Sequence, residues 1–353
     1  MPTTNEEKPA VWKVALVVGF YMAVALTMVI VNKWVLITSD LPLIFLFLQL
    51  AIAVGCLEAW SATSRTAWTA PRWSRSMVLK MVPVASVNIV GLIFNLYCLK
   101  LVDASYFQVA RGLVLPMTIA LQAGASRERP GVPTLVACGL VTYGFIYGFL
   151  PYPFGAGSNP LPEAPTFGMV LGVLSAAMIA VHAVLIKSAL RHVDGSALDL
   201  AYWTNVLSGI AVVPVIIVAN ELPGLYRLVN GEEGDLRAFA VGSLVTGLVG
   251  FLICIGGLLS IKITSPVTHM FSSAARSVLQ TILGVHLFGD IINTSRATSI
   301  ALIVVGTLVY TYYKSKGFVA AAVAERRHEE TRPLPVIREK DEFDPEAAPK
   351  EEV

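Results

Sequence analysis

The chain has 353 residues, 55% of them hydrophobic and only 14% charged, with a mean hydropathy of +0.69. Soluble domains carry about 25% charged residues, so a soluble architecture is excluded. The formal net charge is +2, and residues 317–353 hold six Lys or Arg against ten Asp or Glu, which leaves no strongly basic arm for nucleic acid.

A membrane-crossing helix needs about 20 mostly apolar residues. Windows of that kind run approximately over 11–37, 41–60, 77–101, 102–124, 132–151, 166–190, 198–220, 238–262, 263–288 and 294–315. The first is too long for a signal peptide and has no small-residue cleavage site, so it reads as a retained helix. The fold expected is an all-α polytopic membrane protein with ten transmembrane helices over 11–316, preceded by a cytosolic segment 1–10. Residues 317–353 carry Pro333, Pro335, Pro345 and Pro349 among dense charge, a composition that predicts a disordered cytosolic tail.

Orientation follows from the positive-inside rule. With a cytosolic N-terminus, one set of connections receives Arg65, Arg72, Arg75, Lys80, Arg127, Arg129, Lys187, Arg191, Lys262, Lys314 and Lys316. The opposite set receives Lys100, Arg227, Arg237 and Arg296, diluted by Glu221, Glu232, Glu233 and Asp235. Both ends are therefore expected in the cytosol.

FNLYCLKLVDASYFQVARG at 94–112 and GGLLSIKITSPVTHMFSSAARS at 256–277 share a plan: a Lys at a very short connection, small or hydroxyl residues, then an Arg inside the next span. Five windows in each half give the two copies, about 11–151 and 166–315, opposite orientations. That is the 5+5 inverted-repeat design of many secondary transporters.

Arg111 and Arg276 stand near mid-membrane, where a charge costs about 2.5–3.5 kcal/mol even on a lenient scale. Guanidinium groups bind phosphate bidentately and stay charged, so the pair predicts an anionic ligand. Ion pairs to Glu58 or contacts with backbone carbonyls are the structural alternative. Lys33 and Lys187 near helix ends read either as snorkelling residues or as a gate or second phosphate contact. Tyr202, Trp203, Thr204 and Asn205 offer aromatic faces and hydrogen-bonding groups to a base or sugar, or belong to an interfacial aromatic belt. His182 and His269 lie within spans and read either as groups that titrate or hydrogen-bond to substrate, His269 being counted with the substrate site, or as histidines satisfied by a neighbouring helix; they lack metal-ligand spacing. Gly144 with Gly148, and Gly168 with Gly172, are GxxxG pairs whose default meaning is close helix packing, a homodimer contact being the alternative. Cys56, Cys98, Cys138 and Cys254 lie in apolar stretches without CxxC spacing and read as core filler. No metal site or cofactor is indicated.

Six segments carry a family resemblance: VNKWVL at 31–36, FNLYCLK at 94–100, YFQVARG at 106–112, VDGS at 193–196, IKITSPVTH at 261–269 and AARS at 274–277. They resemble nucleotide-sugar transporters of the drug/metabolite transporter superfamily, in the branch with triose-phosphate translocators and nearest the Golgi GDP-fucose transporter group. The resemblance implies a Golgi (or ER) antiporter of a cytosolic nucleotide sugar against a lumenal nucleoside monophosphate. It also implies a substrate site that includes Ser272, Ser273 and Arg276 on the ninth helix, Tyr202 to Asn205 on the seventh, and the cations Lys33, Arg111 and Lys187. Arg276 replaces the family's usual Lys, and YWTN at 202–205 keeps only the last residue of its FYNN. GDP-mannose, a UDP-sugar or a sugar phosphate are the alternative substrates. A membrane-embedded enzyme is the less favoured reading, since intramembrane carboxylates and His clusters are scarce.

Overall fold

The computed structural model describes residues 11–63, 68–127, 129–149, 166–263, 266–290, 292 and 294–330. Its helices are α1 (Val11–Thr38), α2 (Pro42–Thr63), α3 (Arg75–Leu101), α4 (Ala104–Gly112), α5 (Val114–Ser126), α6 (Val132–Phe149), α7 (Thr166–Ala189), α8 (Ala197–Val218), α9 (Leu222–Val229), α10 (Leu236–Ile263), α11 (Pro266–Phe288) and α12 (Thr294–Glu330). Among the described residues, eight stretches are long and apolar enough to cross a membrane, and α6 supplies a shorter apolar helix. Helix α11 is less apolar because Arg276, Ser277, Gln280 and Thr281 interrupt it. The ten apolar windows correspond in order to α1, α2, α3, α4 with α5, α6, α7, α8, α10, α11 and α12. In lipid a chain must satisfy its backbone hydrogen bonds internally, and these apolar helices do so while turning Leu135, Val136, Ile146, Ile210, Ile217 and other large side chains outward.

The fourth window is one span in sequence and two helices in structure. Pro116 has no N–H to donate to the Gly112 carbonyl, and the chain breaks at Leu113, whose N–H bonds the Ala110 carbonyl at 3.2 Å. Helix α9 lies between the seventh and eighth windows and was not expected as a helix. Helix α12 runs to Glu330, beyond the boundary at 316. The Ala-rich FVAAAVA at 318–324 favours helix, and the tail expected to be disordered is helical over 317–330. The rest of that tail, and segment 1–10, lie outside the described residues. The chain forms two units, residues 1–313 and 314–353.

Within the first unit the packing repeats itself. Helix α1 runs against α10, and α3 against α7, as the two largest helix pairings. Exchanging each span for the one five places away converts the first pairing into the second. The same exchange relates α2–α10 to α3–α8 and α1–α11 to α4–α7, and maps α2–α8 onto itself. This is the 5+5 repeat, written in contacts.

Small residues set the closest approaches. A Cβ on Gly144 would stand 3.0 Å from the Leu302 Cβ and 3.1 Å from the Ser299 carbonyl oxygen, and the Ser299 hydroxyl donates to the Gly144 carbonyl at 2.6 Å. Gly148 faces Ser299, Gly168 faces Leu101 and Val102, and Gly172 faces Ala110 and Cys98. Both GxxxG pairs therefore face neighbours within the same molecule, the close helix packing that is their default meaning. All four cysteines are free.

These contacts predict that Gly144→Leu lowers the melting temperature of the purified protein, since overfilling a packed contact costs about 1–3 kcal/mol. Gly139, on the same helix with nothing within 4 Å of its Cβ position, is the control: Gly139→Leu should leave the melt unchanged. Equal effects of the two substitutions would contradict the α6–α12 contact.

Candidate functional site

The break at Leu113 leaves Arg111 in the last turn of α4, half-buried. Its guanidinium carbon lies 5.6 Å from the centre of the Phe107 ring. Arg111 borders a cavity of about 210 Å³ whose polar lining is Asn32 from α1, Gln49 from α2, Asn88 and Asn95 from α3, and His182 from α7. Arg276, half-buried on α11, is close enough to Arg111 for the two charges to repel. Ion pairs among the described residues join Lys100 to Asp40, Arg227 to Glu233 and Arg296 to Asp103. Arg111 and Arg276 take part in none. Glu58, the alternative partner suggested by the sequence, instead accepts the Tyr202 hydroxyl proton. Two cations from opposite halves thus lie near one another, and neither is paired with a carboxylate among the described residues.

Lys33 does something else. It is buried, and its Nζ donates to the carbonyls of Leu99 at 2.8 Å and Val102 at 2.6 Å. These carbonyls terminate α3, where a helix has no partner for its last C=O groups and where positive charge is favoured. The ammonium is turned inward rather than snorkelling, and two backbone oxygens take two of its three donors. The same end of the bundle is tied further by Arg296, whose Nη1 donates to Asp103 at 2.9 Å and to the Ser105 hydroxyl at 3.2 Å. The guanidinium carbon of Arg296 stacks 3.7 Å from the Tyr106 ring centre. Asp290, between α11 and α12, accepts the Ser105 N–H at 3.2 Å. Burial, and then the neighbouring Asp103 charge, push its carboxyl up from its ordinary value. Glu221 closes this end from another direction, with its carboxylate accepting the Leu43 and Ile44 N–H groups that open α2, at 3.1 and 2.9 Å.

The α8 run is divided among different surroundings. Trp203 is 1% exposed, packed among Met81, Val84, Ala189, Val193 and Leu207 and 5.5 Å from Trp73. It does not reach the cavity. Tyr202 meets Trp68 edge-on at 6.1 Å, which continues to Trp60 at 6.0 Å and from there to Phe251 at 6.2 Å. An aromatic ladder therefore staples the segment after α2 onto α2, α8 and α10, while Trp203 serves as core packing. Thr204 bonds back to the Leu200 carbonyl of its own helix at 2.7 Å. Asn205 is half-buried and makes no hydrogen bond among the described residues. The side chains of Lys187, His269, Ser272 and Ser273 lie outside the described side chains.

The cavity brings in four amides that the sequence reading passed over. Asn88 and Asn95 are seven residues apart on α3, on one face with Gly91 between them. The Asn88 Nδ2 donates to the Ser208 hydroxyl at 3.2 Å, and the Gln49 Nε2 to the Asn32 Oδ1 at 2.7 Å. The Nδ1 of His182 is buried with no hydrogen-bond partner among the described residues. A polar stripe at helical spacing inside an apolar span was the available signal.

No family model matches the chain. It is 31% identical over 290 residues to an uncharacterized transporter of Schizosaccharomyces pombe, covering 82% of this chain and 72% of that protein. It is 27% identical to GDP-fucose transporter 1 of Dictyostelium discoideum, covering 84% and 80%. It is 25% identical to the Golgi GDP-fucose transporter of Drosophila melanogaster, covering 86% and 90%. A solved crystal structure shares the fold at a TM-score of 0.51 and 17% identity, over 87% of this chain and 99% of that one.

Two outcomes separate these side chains. Lys33→Met should lower the melting temperature, because unpaired buried carbonyls cost about 1–3 kcal/mol, yet leave the affinity for pyrophosphate unchanged; a large loss of that affinity would make Lys33 a phosphate ligand. Trp203→Ala should be destabilising by about 3–5 kcal/mol, as for other buried tryptophans, while Trp203→Phe should keep the order of substrate preference in competition assays. A reordered preference in a stable Trp203→Phe protein would return this ring to the substrate site.

Proposed function

The chain belongs to the nucleotide-sugar transporter family, and on that premise we propose that it is a Golgi antiporter of the GDP-fucose-transporting kind. It exchanges a cytosolic nucleotide sugar for a lumenal nucleoside monophosphate by alternating access, with both termini in the cytosol. The observation that carries this reading is the arginine pair. Arg111 and Arg276 come from opposite repeats, repel one another, and lack a carboxylate partner among the described residues. A phosphate or diphosphate placed between them relieves both the repulsion and the cost of keeping charge in apolar surroundings. Loaded carrier can then occlude and rock between its two openings, whereas empty carrier retains two uncompensated cations. Obligatory exchange follows from that difference. The nucleotide sugar and the Golgi membrane are taken over from the relatives, and the orientation from the distribution of Lys and Arg.

The test is uptake of labelled GDP-fucose, GDP-mannose, UDP-sugars and triose phosphate into liposomes holding the purified protein, with and without GMP or UMP inside. Uptake of a nucleotide sugar that depends on internal monophosphate is expected. Exchange of triose phosphate alone would replace this reading by a simple phosphate exchanger. Arg276→Ala is expected to abolish exchange while the protein still folds and inserts, and Arg276→Lys to retain part of it, since charge persists without bidentate geometry. Unimpaired transport by a folded Arg276→Ala protein would refute the role of the pair.

A further inference from the structure

We propose that the amide-lined cavity beside Arg111 is the nucleobase pocket of the carrier, and that Asn95 on α3 reads the edge of the base. The inference rests on the nucleotide-transport reading and deepens it by placing the parts of the substrate.

Size comes first. Sites that enclose a whole drug-sized ligand measure about 300–1,000 Å³. The cavity holds about 210 Å³, room for one ring system rather than for a nucleotide sugar. Arg111 on its border gives the charged neighbour, so the group inside is one that is joined to phosphate.

Chemistry then separates base from sugar. The walls are largely apolar, with Val29, Leu92, Leu96, Phe107, Met178 and Ile179 among them. A sugar would press several hydroxyls against such walls, and each hydroxyl without a partner is costly. A flat heteroaromatic ring presents two apolar faces and keeps its donors and acceptors on one edge, which suits apolar walls with a few polar groups along one side.

Those groups lie along one line. Asn88, Gly91 and Asn95 share a face of α3, and all three border the cavity. Gly91 has no side chain, and a Cβ there would come within 3.1 Å of the Met178 Cβ on α7. The glycine therefore lets α3 and α7 approach closely beside the two amides. Asn88 is held by Ser208, and Gln49 by Asn32. The Asn95 carboxamide has no hydrogen-bond partner among the described residues, and the buried Nδ1 of His182, on the facing helix, has none either. A carboxamide offers a donor and an acceptor side by side, the complement of a base edge.

The experiment measures binding of GMP, UMP, fucose 1-phosphate and pyrophosphate to the purified full chain by calorimetry, in wild type and in Asn95→Leu and His182→Leu, with melting curves to confirm folding. Asn95→Leu is expected to weaken the nucleoside monophosphates by roughly tenfold, the usual effect of a lost buried hydrogen bond, and His182→Leu by a smaller factor. Fucose 1-phosphate and pyrophosphate should stay within about twofold, because the arginines alone hold them. Equal losses for all four ligands, a selective loss of fucose 1-phosphate, or unchanged nucleotide binding in both variants would overturn the assignment. If wild type binds pyrophosphate but no nucleoside phosphate, the transport reading itself falls, and the proposal with it. Should Asn95→Leu fail to fold, His182→Leu with the same ligands decides.

Discussion

A backbone group that a helix leaves unpaired cannot be left to lipid, and this body answers that requirement at the end of α3 and at the start of α2. The carbonyls ending α3 receive the Lys33 ammonium. The amides opening α2 receive the Glu221 carboxylate, whose burial pushes its pKa up while the same N–H bonds oppose that shift. Charged side chains thereby become structural ties between elements far apart in sequence: Lys33 joins α1 to α3, and Glu221 joins the α8–α9 junction to α2. The ladder of rings from Trp60 through Trp68 to Tyr202 holds segments elsewhere in the bundle by apolar contact. Among the polar groups that these ties leave over are the arginine pair and the Asn95 amide of α3.

The distinction between employed and unemployed charge turns a list of intramembrane cations into a site. The resemblance placed Lys33 and Arg111 together among the cations of the substrate site. Structure separates them, since one ammonium has two oxygens at hydrogen-bond distance and one guanidinium faces another cation. The same reasoning divides α8: Thr204 closes a bond within its own helix, Trp203 is filled around by apolar side chains with its Nε1 lacking a partner among the described residues, and Asn205 makes no hydrogen bond among the described residues. It is also the one residue of the run that retains the related transporters' motif.

Much of the architecture was legible because apolar length is a strong signal. All ten windows meet a helix within a few residues at most of their ends. The exceptions have local causes: Pro116 splits a span that hydropathy reads as continuous, and the alanines after Phe318 extend α12 past a boundary drawn from charge. The arginines were legible because charge is rare in such segments. The amides of α3 were not, since Asn88 and Asn95 cost less to bury than a charge and do not stand out until the partner helices are in place. The fate of Lys33 was also beyond reach, because its acceptors are backbone oxygens, which every residue has and no sequence distinguishes.

The exchange of pairings between the repeats has a thermodynamic consequence. For any arrangement in which α1 against α10 differs in detail from α3 against α7, there is a second arrangement in which the two pairings trade those details. Both use the same kinds of contact, so neither is favoured by architecture and only the sequence differences between the halves tilt one over the other. Differences of that kind are worth little beside the steep terms that fix the fold. A body built this way has no intrinsic direction. Its net flux answers to the ligand concentrations on its two sides, and it can be run backwards without altering a single residue.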